Sequence, residues 1–355
     1  MRIAMMGPVQ SGKSSLFEGV ARAGGSHVDL SRPDQPHLAV VKVPDGRLDW
    51  LVQQYKPKKV THAELELLDL PGFDLRDETG RARAKAHWPA LRQSQMLVLV
   101  LRAFGGKAVA AYRGRVDPQT DAKELLEEMR FADMEQVAGR IEKLDAAIAK
   151  PTSKREEQAR ERDLMRRLAA GMEAGKPLQE VASEAEWKLL GGFGFLSAKP
   201  ALIVLNCSEE AAGDPGPGEM ASLPCVSLAA RLEAELSRLP DRQRKEFQAE
   251  LGLRVSACDV LVGACLRRMN LASFFTVNAN ECRAWIVPAG TNALAAAGMV
   301  HSDIARGFIR AEVIHYDDYY AAGDHKAAKA AGKVRLEGKE YVVRDGDVIY
   351  FRFNV

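Results

Sequence analysis

Near-continuous apolar runs at residues 2–6, 96–101 and 201–205 predict strands covered on both faces, with residues 224–228 as a fifth candidate. Residues 63–69 form the remaining strand, where Glu64 and Glu66 alternate with apolar positions as on a more exposed strand. Leu16, Phe17 and Val20 follow the first run at helical spacing. Together these elements predict a mostly parallel sheet of the α/β class. A long detour separates the third and fourth strands. From Asp117 to Lys188 the chain is dense in charge, and Met134, Val137, Ile141, Leu144 and Ile148 recur at spacings of three and four. That narrow seam predicts a helical arm. Pro151-Thr152-Ser153 breaks the seam, Leu164, Leu168 and Met172 resume it, and Gly175-Lys176-Pro177 stops it, so two antiparallel helices are expected. Ser183 and Glu186 have capping-box spacing for a further short helix.

Beyond residue 272 the pattern changes to short alternating strands and turns. Residues 309–313 alternate, residues 341–343 and 348–351 flank a turn at 344–347, and residues 327–333 predict a short helix stopped at Gly332. The domain organisation read from these changes is a sheet domain over 1–118 and 191–272, an inserted helical arm over 119–190, and a separate mixed domain over 273–355.

The first strand runs directly into Gly7-Pro8-Val9-Gln10-Ser11-Gly12-Lys13-Ser14, with Ser15 next and the helix after it. This spacing of G-x-x-x-x-G-K-S is a phosphate loop. Its glycines let backbone N–H groups curl around phosphate oxygens, Lys13 reaches the β- and γ-phosphates, and Ser14 offers a hydroxyl to Mg²⁺. Gln10, Ser11, Gly12, Lys13, Ser14 and Ser15, with Asn206 and Glu209 further along the chain, are the expected nucleotide-binding residues. Asp69-Leu70-Pro71-Gly72 ends the second predicted strand as a D-x-x-G, in which Asp69 can hold Mg²⁺ through water and the Gly72 amide can sense the γ-phosphate. Ser14 and Asp69 are thus the expected metal residues, and Lys13 and Gly72 the expected catalytic ones. Asn206-Cys207-Ser208-Glu209 ends the 201–205 run, where a switch GTPase carries N-K-x-D to read guanine. The longer carboxylate of Glu209 and the missing lysine argue against strict GTP specificity.

The 355 residues are 46% hydrophobic and 28% charged with a formal net charge of +2, so bulk charge gives no polyanion signature. Five cysteines show no C-x-x-C pair, which predicts reduced thiols. The sequence shows no signal peptide or membrane anchor, and the most apolar run is too short to span a bilayer. The basic cluster Lys154, Arg155, Arg160, Arg162, Arg166 and Arg167 is interrupted by acids and reads as a solvated helix face. Trp88, Trp187 and Trp285 are expected to pack, and His301 and His315 to be core or surface residues rather than ligands.

N-x-x-E in place of N-K-x-D, a helical arm before it and a mixed C-terminal domain together resemble the YchF branch of the Obg-related P-loop NTPases. Residues 306–314 and 345–355, with 274–276, 283–285 and 297–303, match that family's C-terminal half closely. The resemblance implies a G-domain-like fold with a C-terminal TGS domain, a ubiquitin-like β-grasp. It also implies a cytosolic, Mg²⁺-dependent ATPase that accepts GTP less well and associates with the ribosome, particularly its large subunit, with an rRNA contact as a further option. Several positions depart from that pattern; Phe73 is not one of them, since an apolar residue there is part of the family pattern. A switch threonine of the family would fall near Pro33, and no Thr occurs between residues 16 and 60. Phe73 to Trp88 retains only Gly80, with Arg76, Arg81, Arg83 and Lys85 in the tract. A histidine that the family often uses to orient water would align with Ala111, while Phe73 stands where Ras-like proteins have a water-orienting Gln. Slow ATP hydrolysis is therefore expected, the alternative being a catalytically degenerate nucleotide-binding scaffold for ribosome or RNA. A small-molecule kinase, with the Arg-bearing tract as its lid, is opposed by Asn206 and the C-terminal domain.

Overall fold

The computed structural model describes all residues except 107–108, 151–152, 254 and 355. In chain order its strands are β1 (Arg2–Met6), β2 (His37–Lys42), β3 (Lys59–Thr61), β4 (Glu64–Asp69), β5 (Met96–Arg102), β6 (Ala201–Asn206), β7 (Glu219–Met220), β8 (Leu223–Leu228), β9 (Leu271–Val277), β10 (Glu281–Pro288), β11 (Phe308–His315), β12 (Arg335–Glu337) and β13 (Asp347–Phe353). The helices that matter for the site and its supports are α1 (Lys13–Ala23), α2 (Gly46–Tyr55), α3 (Glu78–Lys85), α4 (Trp88–Gln93), α5 (Pro118–Ile148) and α6 (Arg155–Glu173). The chain forms two compact units, Met1–Ala39 with Glu66–Ala257, and Val40–Leu65 with Cys258–Val355.

The first unit is built on a seven-stranded sheet of order β2-β4-β1-β5-β6-β8-β7. β4, β1, β5, β6 and β8 are mutually parallel, with Ile3 opposite both Leu67 and Met96, and β7 returns antiparallel. Every residue of β5 and β6 is buried, the signature of central parallel strands covered on both faces. All five strands expected from the sequence are present. β2 was not among them, because its alternation of exposed and buried positions marks only a sheet edge.

The arm follows its hydrophobic seam. α5 runs 31 residues, about 46 Å at the helical rise, and Asp117 caps its start by accepting from Thr120 N at 3.1 Å. Arg130 of α5 donates to Met172 O at the end of α6, whereas Arg140 meets Glu161 nearer its start, so the two helices run antiparallel. Val137 and Leu144 pack with Leu164, Leu168 and Met172 in the arm's own core. Pro151 and Thr152 of the expected break lie outside the described residues. The capping box forms: Ser183 Oγ accepts from Glu186 N, and Glu186 accepts from Ser183 N at 2.8 Å. Arg160, Arg162, Arg166 and Arg167 all pair with acidic residues of the arm region, as a solvated face does. At the arm's base Asp133, fully buried, accepts from Arg92 Nη1 at 2.7 Å, Leu196 N at 3.0 Å, and Ser197 N and Oγ at 2.8 Å each.

The second unit has a six-stranded mixed sheet of order β12-β11-β13-β9-β10-β3, in which β13 is parallel to β9 and β3 is parallel to β10. Residues Ala293–Val300 form a helix whose Ala293, Ala296 and Ala297 pack on Phe274, Val313 and Ile349. The sequence reading placed residues 40–65 with the first domain, whereas in the structure they group with the second unit. α2 inserts Leu48 and Leu51 into the core, Arg47 pairs with Asp345 at 2.8 Å, and Tyr55 hydrogen-bonds Tyr319 and Tyr350. The expected strand at 341–343 is instead a single bridge between Asn292 and Val342. The buried Asp347 carboxylate anchors the turn that follows, accepting from Tyr341 Oη at 2.7 Å and Arg344 N at 2.9 Å. His301 and His315 cap the short helices Ser302–Arg306 and Tyr316–Ala322, a role their isolation in the sequence did not show. Trp88, Trp187 and Trp285 each pack against a phenylalanine. The described residues contain five free cysteines, four of them buried, and no helix long and apolar enough to cross a membrane.

Candidate active site

The phosphate loop occupies the β1–α1 connection. Its curl needs two residues of positive φ, Gln10 at 63° and Gly12 at 84°. Gly12 has a second requirement, because a Cβ there would lie 2.0 Å from Asn206 Nδ2. No side chain caps α1, and its first intrahelical bond is from Leu16 N to Gly12 O. The amides of the first turn are therefore left for an anion, reinforced by the helix dipole. Ser11 is buried and its Oγ has no hydrogen-bond partner among the described residues, while Gln10, Ser14 and Ser15 are exposed at the mouth.

Lys13 and Asp69 lie against each other, both almost fully buried. Burial pushes the Lys13 ammonium below the usual lysine range, and the charge and hydrogen bond of Asp69 oppose that shift. Ser14 Oγ donates to the other Asp69 oxygen at 2.8 Å. The end of β4 thus meets the start of α1 through one carboxylate that satisfies both side chains. Beyond Asp69, Gly72 is exposed, and Phe73 is tied to the phosphate loop by Phe73 N to Gly7 O at 2.9 Å and Val9 N to Phe73 O at 3.1 Å. This bridge holds the D-x-x-G turn beside the loop.

Asn206 closes the far side. Its Nδ2 donates to Ser11 O at 2.9 Å and its Oδ1 accepts from Ala230 N at 3.0 Å. Both polar atoms are committed to protein backbone, so Asn206 acts here as a brace between the phosphate loop and the residues after β8. Asn206→Ala strands two backbone groups and is expected to destabilise the first unit by about 2 kcal/mol, read as a lower denaturant midpoint at unchanged slope. Glu209 opens the short turn after β6; it is half-exposed and lies 3.5 Å from Arg231 Nε.

Of the departures noted in the sequence, Pro33 lies in an exposed turn and Ala111 precedes the Tyr112–Gly114 turn. Three of the basic residues after Gly72 are engaged by acids: Arg76 pairs with Asp74, Arg81 with Glu128, and Lys85 with Glu135 of α5 at 2.7 Å. That arrangement is not a kinase lid. One residue escaped the sequence reading. His87, at the start of α4, stacks on Phe73 with ring centroids 6.2 Å apart and planes 11° apart. Its position fifteen residues beyond Gly72 gave no local signal.

No group of three or more His, Cys, Asp or Glu side chains converges as a metal site among the described residues. The donors present are instead a hydroxyl and a carboxylate oxygen at Ser14 and Asp69, beside a loop of free amides. Hard oxygen donors of this kind suit Mg²⁺ shared with a phosphate, which takes few protein ligands.

Comparison with known proteins bears on this geometry. The family model YchF-GTPase_C, described as a protein of unknown function (DUF933), matches residues 271–354. The "Ribosome-binding ATPase YchF" of Bacillus subtilis (strain 168) is 36% identical over 97% of this chain and 96% of its own. The "Obg-like ATPase 1" of Oryza sativa subsp. japonica is 32% identical over all of this chain and 92% of its own. Among solved structures, the Schizosaccharomyces pombe YchF GTPase superposes with a TM-score of 0.78 at 24% identity, covering 99% of this chain and 97% of that one. A GTP binding protein from Pyrococcus horikoshii OT3 matches with a TM-score of 0.58 at 16% identity over the full length of both chains. The α/β class, the parallel sheet and the separate C-terminal domain agree with these folds. Identity at this level across essentially the whole chain places it in the YchF family.

Proposed function

We propose that the chain is a nucleotide-binding P-loop NTPase that binds ATP with Mg²⁺, hydrolyses it slowly and associates with the ribosome in the cytoplasm through its large subunit. The observation that carries the nucleotide reading is the buried Lys13–Asp69–Ser14 cluster beneath a curled loop of free amides. On nucleotide entry Lys13 exchanges Asp69 for phosphate oxygens, a charged group already paid for in desolvation by the fold. Gln10 to Ser15 supply amides to the α- and β-phosphates, and the exposed Gly72 amide faces the γ-phosphate side. Ser14, and Asp69 through water, would hold Mg²⁺, which would supply charge neutralisation at the phosphate oxygens. The ribosomal reading is supported by the names of relatives spanning the whole chain, and by a C-terminal unit read as a TGS-type β-grasp.

Glu209 in place of a short aspartate supports adenine over guanine. The expected result is ATP binding at least about tenfold tighter than GTP, equivalent to about 1.4 kcal/mol. Titration of both nucleotides, with turnover measured with and without ribosomes, checks it; a GTP preference sinks the Glu209 argument. A second reading, a non-hydrolysing scaffold, is favoured by Pro33 and Ala111 at positions that carry hydroxyl and imidazole in the family pattern. Single-turnover assay of the purified chain separates the two, since a scaffold binds ATP and returns it unchanged.

A further inference from the structure

We propose that the imidazole of His87 orients the attacking water in this NTPase, a task that neither Phe73 nor Ala111 has the atoms to perform. The inference rests on the nucleotide-binding reading of the phosphate loop. Phe73 occupies the position directly after D-x-x-G, where its backbone is locked to Gly7 and Val9 and its side chain is buried. A phenyl ring there cannot hold water by hydrogen bonding. The ring that lies parallel to it belongs to His87, and Trp88 meets the same phenylalanine edge-on at 5.4 Å, fixing the stack from the neighbouring residue. Neither nitrogen of His87 has a hydrogen-bond partner among the described residues, although the ring is only half-buried. An anchored imidazole with free nitrogens beside the switch turn is suited to accept a hydrogen bond from water. Burial first, and the charge of Lys13 second, hold the His87 imidazole below its usual range. The ring is thus the neutral, accepting form.

In the step that this assignment serves, the water oxygen forms a bond to the γ-phosphorus while the bond from that phosphorus to the bridging oxygen breaks. The bridging oxygen keeps the electron pair on ADP, and the water's protons end on the released phosphate and solvent. His87 contributes direction to the water and takes up no net proton.

The test uses the full chain with Mg²⁺ and ATP, measuring equilibrium binding and the single-turnover hydrolysis rate for wild type, His87→Phe and His87→Gln. His87→Phe keeps a ring on Phe73 and removes only the nitrogens. Its expected behaviour is an unchanged dissociation constant with hydrolysis slowed about 100-fold, while His87→Gln, which retains a hydrogen-bonding side chain, recovers at least part of that loss. Hydrolysis at the wild-type rate in His87→Phe overturns the proposal, as does an equal loss in both variants, which would mark a structural role. Wild-type chain that binds ATP without hydrolysing it also overturns the proposal, yet leaves the nucleotide site standing. Failure of the wild type to bind ATP removes the underlying reading itself.

Discussion

Lys13→Ala is expected to raise the dissociation constant for ATP by about 300-fold or more. Lys13 is held with 4% of its surface exposed, already stripped of water by the walls of the loop, so a phosphate that reaches it pays little of the usual cost of dehydrating an ammonium. Interactions of a buried, hydrogen-bonded charge pair are worth about 3–5 kcal/mol when one partner is removed, or two to three and a half powers of ten in affinity. The variant also loses the cation that pairs with Asp69 beside the incoming phosphates, which adds repulsion to lost attraction. Fold stability should fall as well, because Asp69 stays buried without its cation; the lost desolvation cost of Lys13 and the retained Ser14 hydrogen bond at 2.8 Å offset part of that loss. Calorimetric titration with ATP and Mg²⁺ beside a thermal melt checks both halves. Retained affinity would show that phosphates are bound elsewhere.

The largest expected effect on stability lies outside the site. Asp133→Ala should destabilise the first unit by about 3–5 kcal/mol and lower its melting temperature by about 10 °C. The wild-type carboxylate is fully buried and accepts four hydrogen bonds, from Arg92, from two consecutive backbone amides and from the Ser197 hydroxyl. Alanine leaves every one of those donors facing an apolar gap, and unsatisfied buried donors cost more than the bonds they made were worth. Asp133→Asn keeps one accepting oxygen and should recover a fraction. The arm's own helices need not melt, since Val137, Leu144 and Leu168 pack without help from Asp133. Far-ultraviolet circular dichroism through the transition distinguishes loss of the anchor from loss of the helices. A melting temperature unchanged within a degree would mean that water replaces the carboxylate at no cost.

How much of this was visible beforehand depends on whether a feature is local. The phosphate loop, D-x-x-G and the arm's seam each complete their physical logic within a few residues or one periodicity, and each appears where the chain pattern put it. Asn206 was legible as a site position, but its two hydrogen bonds reach Ser11 and Ala230, so its bracing role emerged only with the fold. Asp133 looked like one more charge on a charged helix, because nothing near it in sequence announces that residues 196–197 return to cover it. His87 is the same case in miniature: its stack on Phe73 spans fourteen residues with a helix between them. Residues 341–343 misled in the opposite direction: Tyr341 O and Val343 N do bond to Ala293 N and Thr291 O, but the pairing stops at that one bridge. Segment 40–65 misled because contiguity in sequence is the default evidence for a shared domain, and here it fails.

That last segment sets an order on synthesis. The second unit takes α2 and β3 from near the start of the chain and everything else from its last hundred residues; Thr61 and Glu281, bonded at 2.6 Å, are 220 positions apart. While the chain is being made, Leu48, Leu51 and the Tyr55 hydroxyl wait for partners that leave the ribosome last, as does the unpaired rim of β3. The first unit waits less, because residues 1–39 and 66–257 supply its sheet and its arm before residue 258 is made. Its core can close during translation, whereas the second unit can close only once residues 258–355 have been made, leaving an apolar helix and a bare strand edge as a long-lived hazard of the nascent chain.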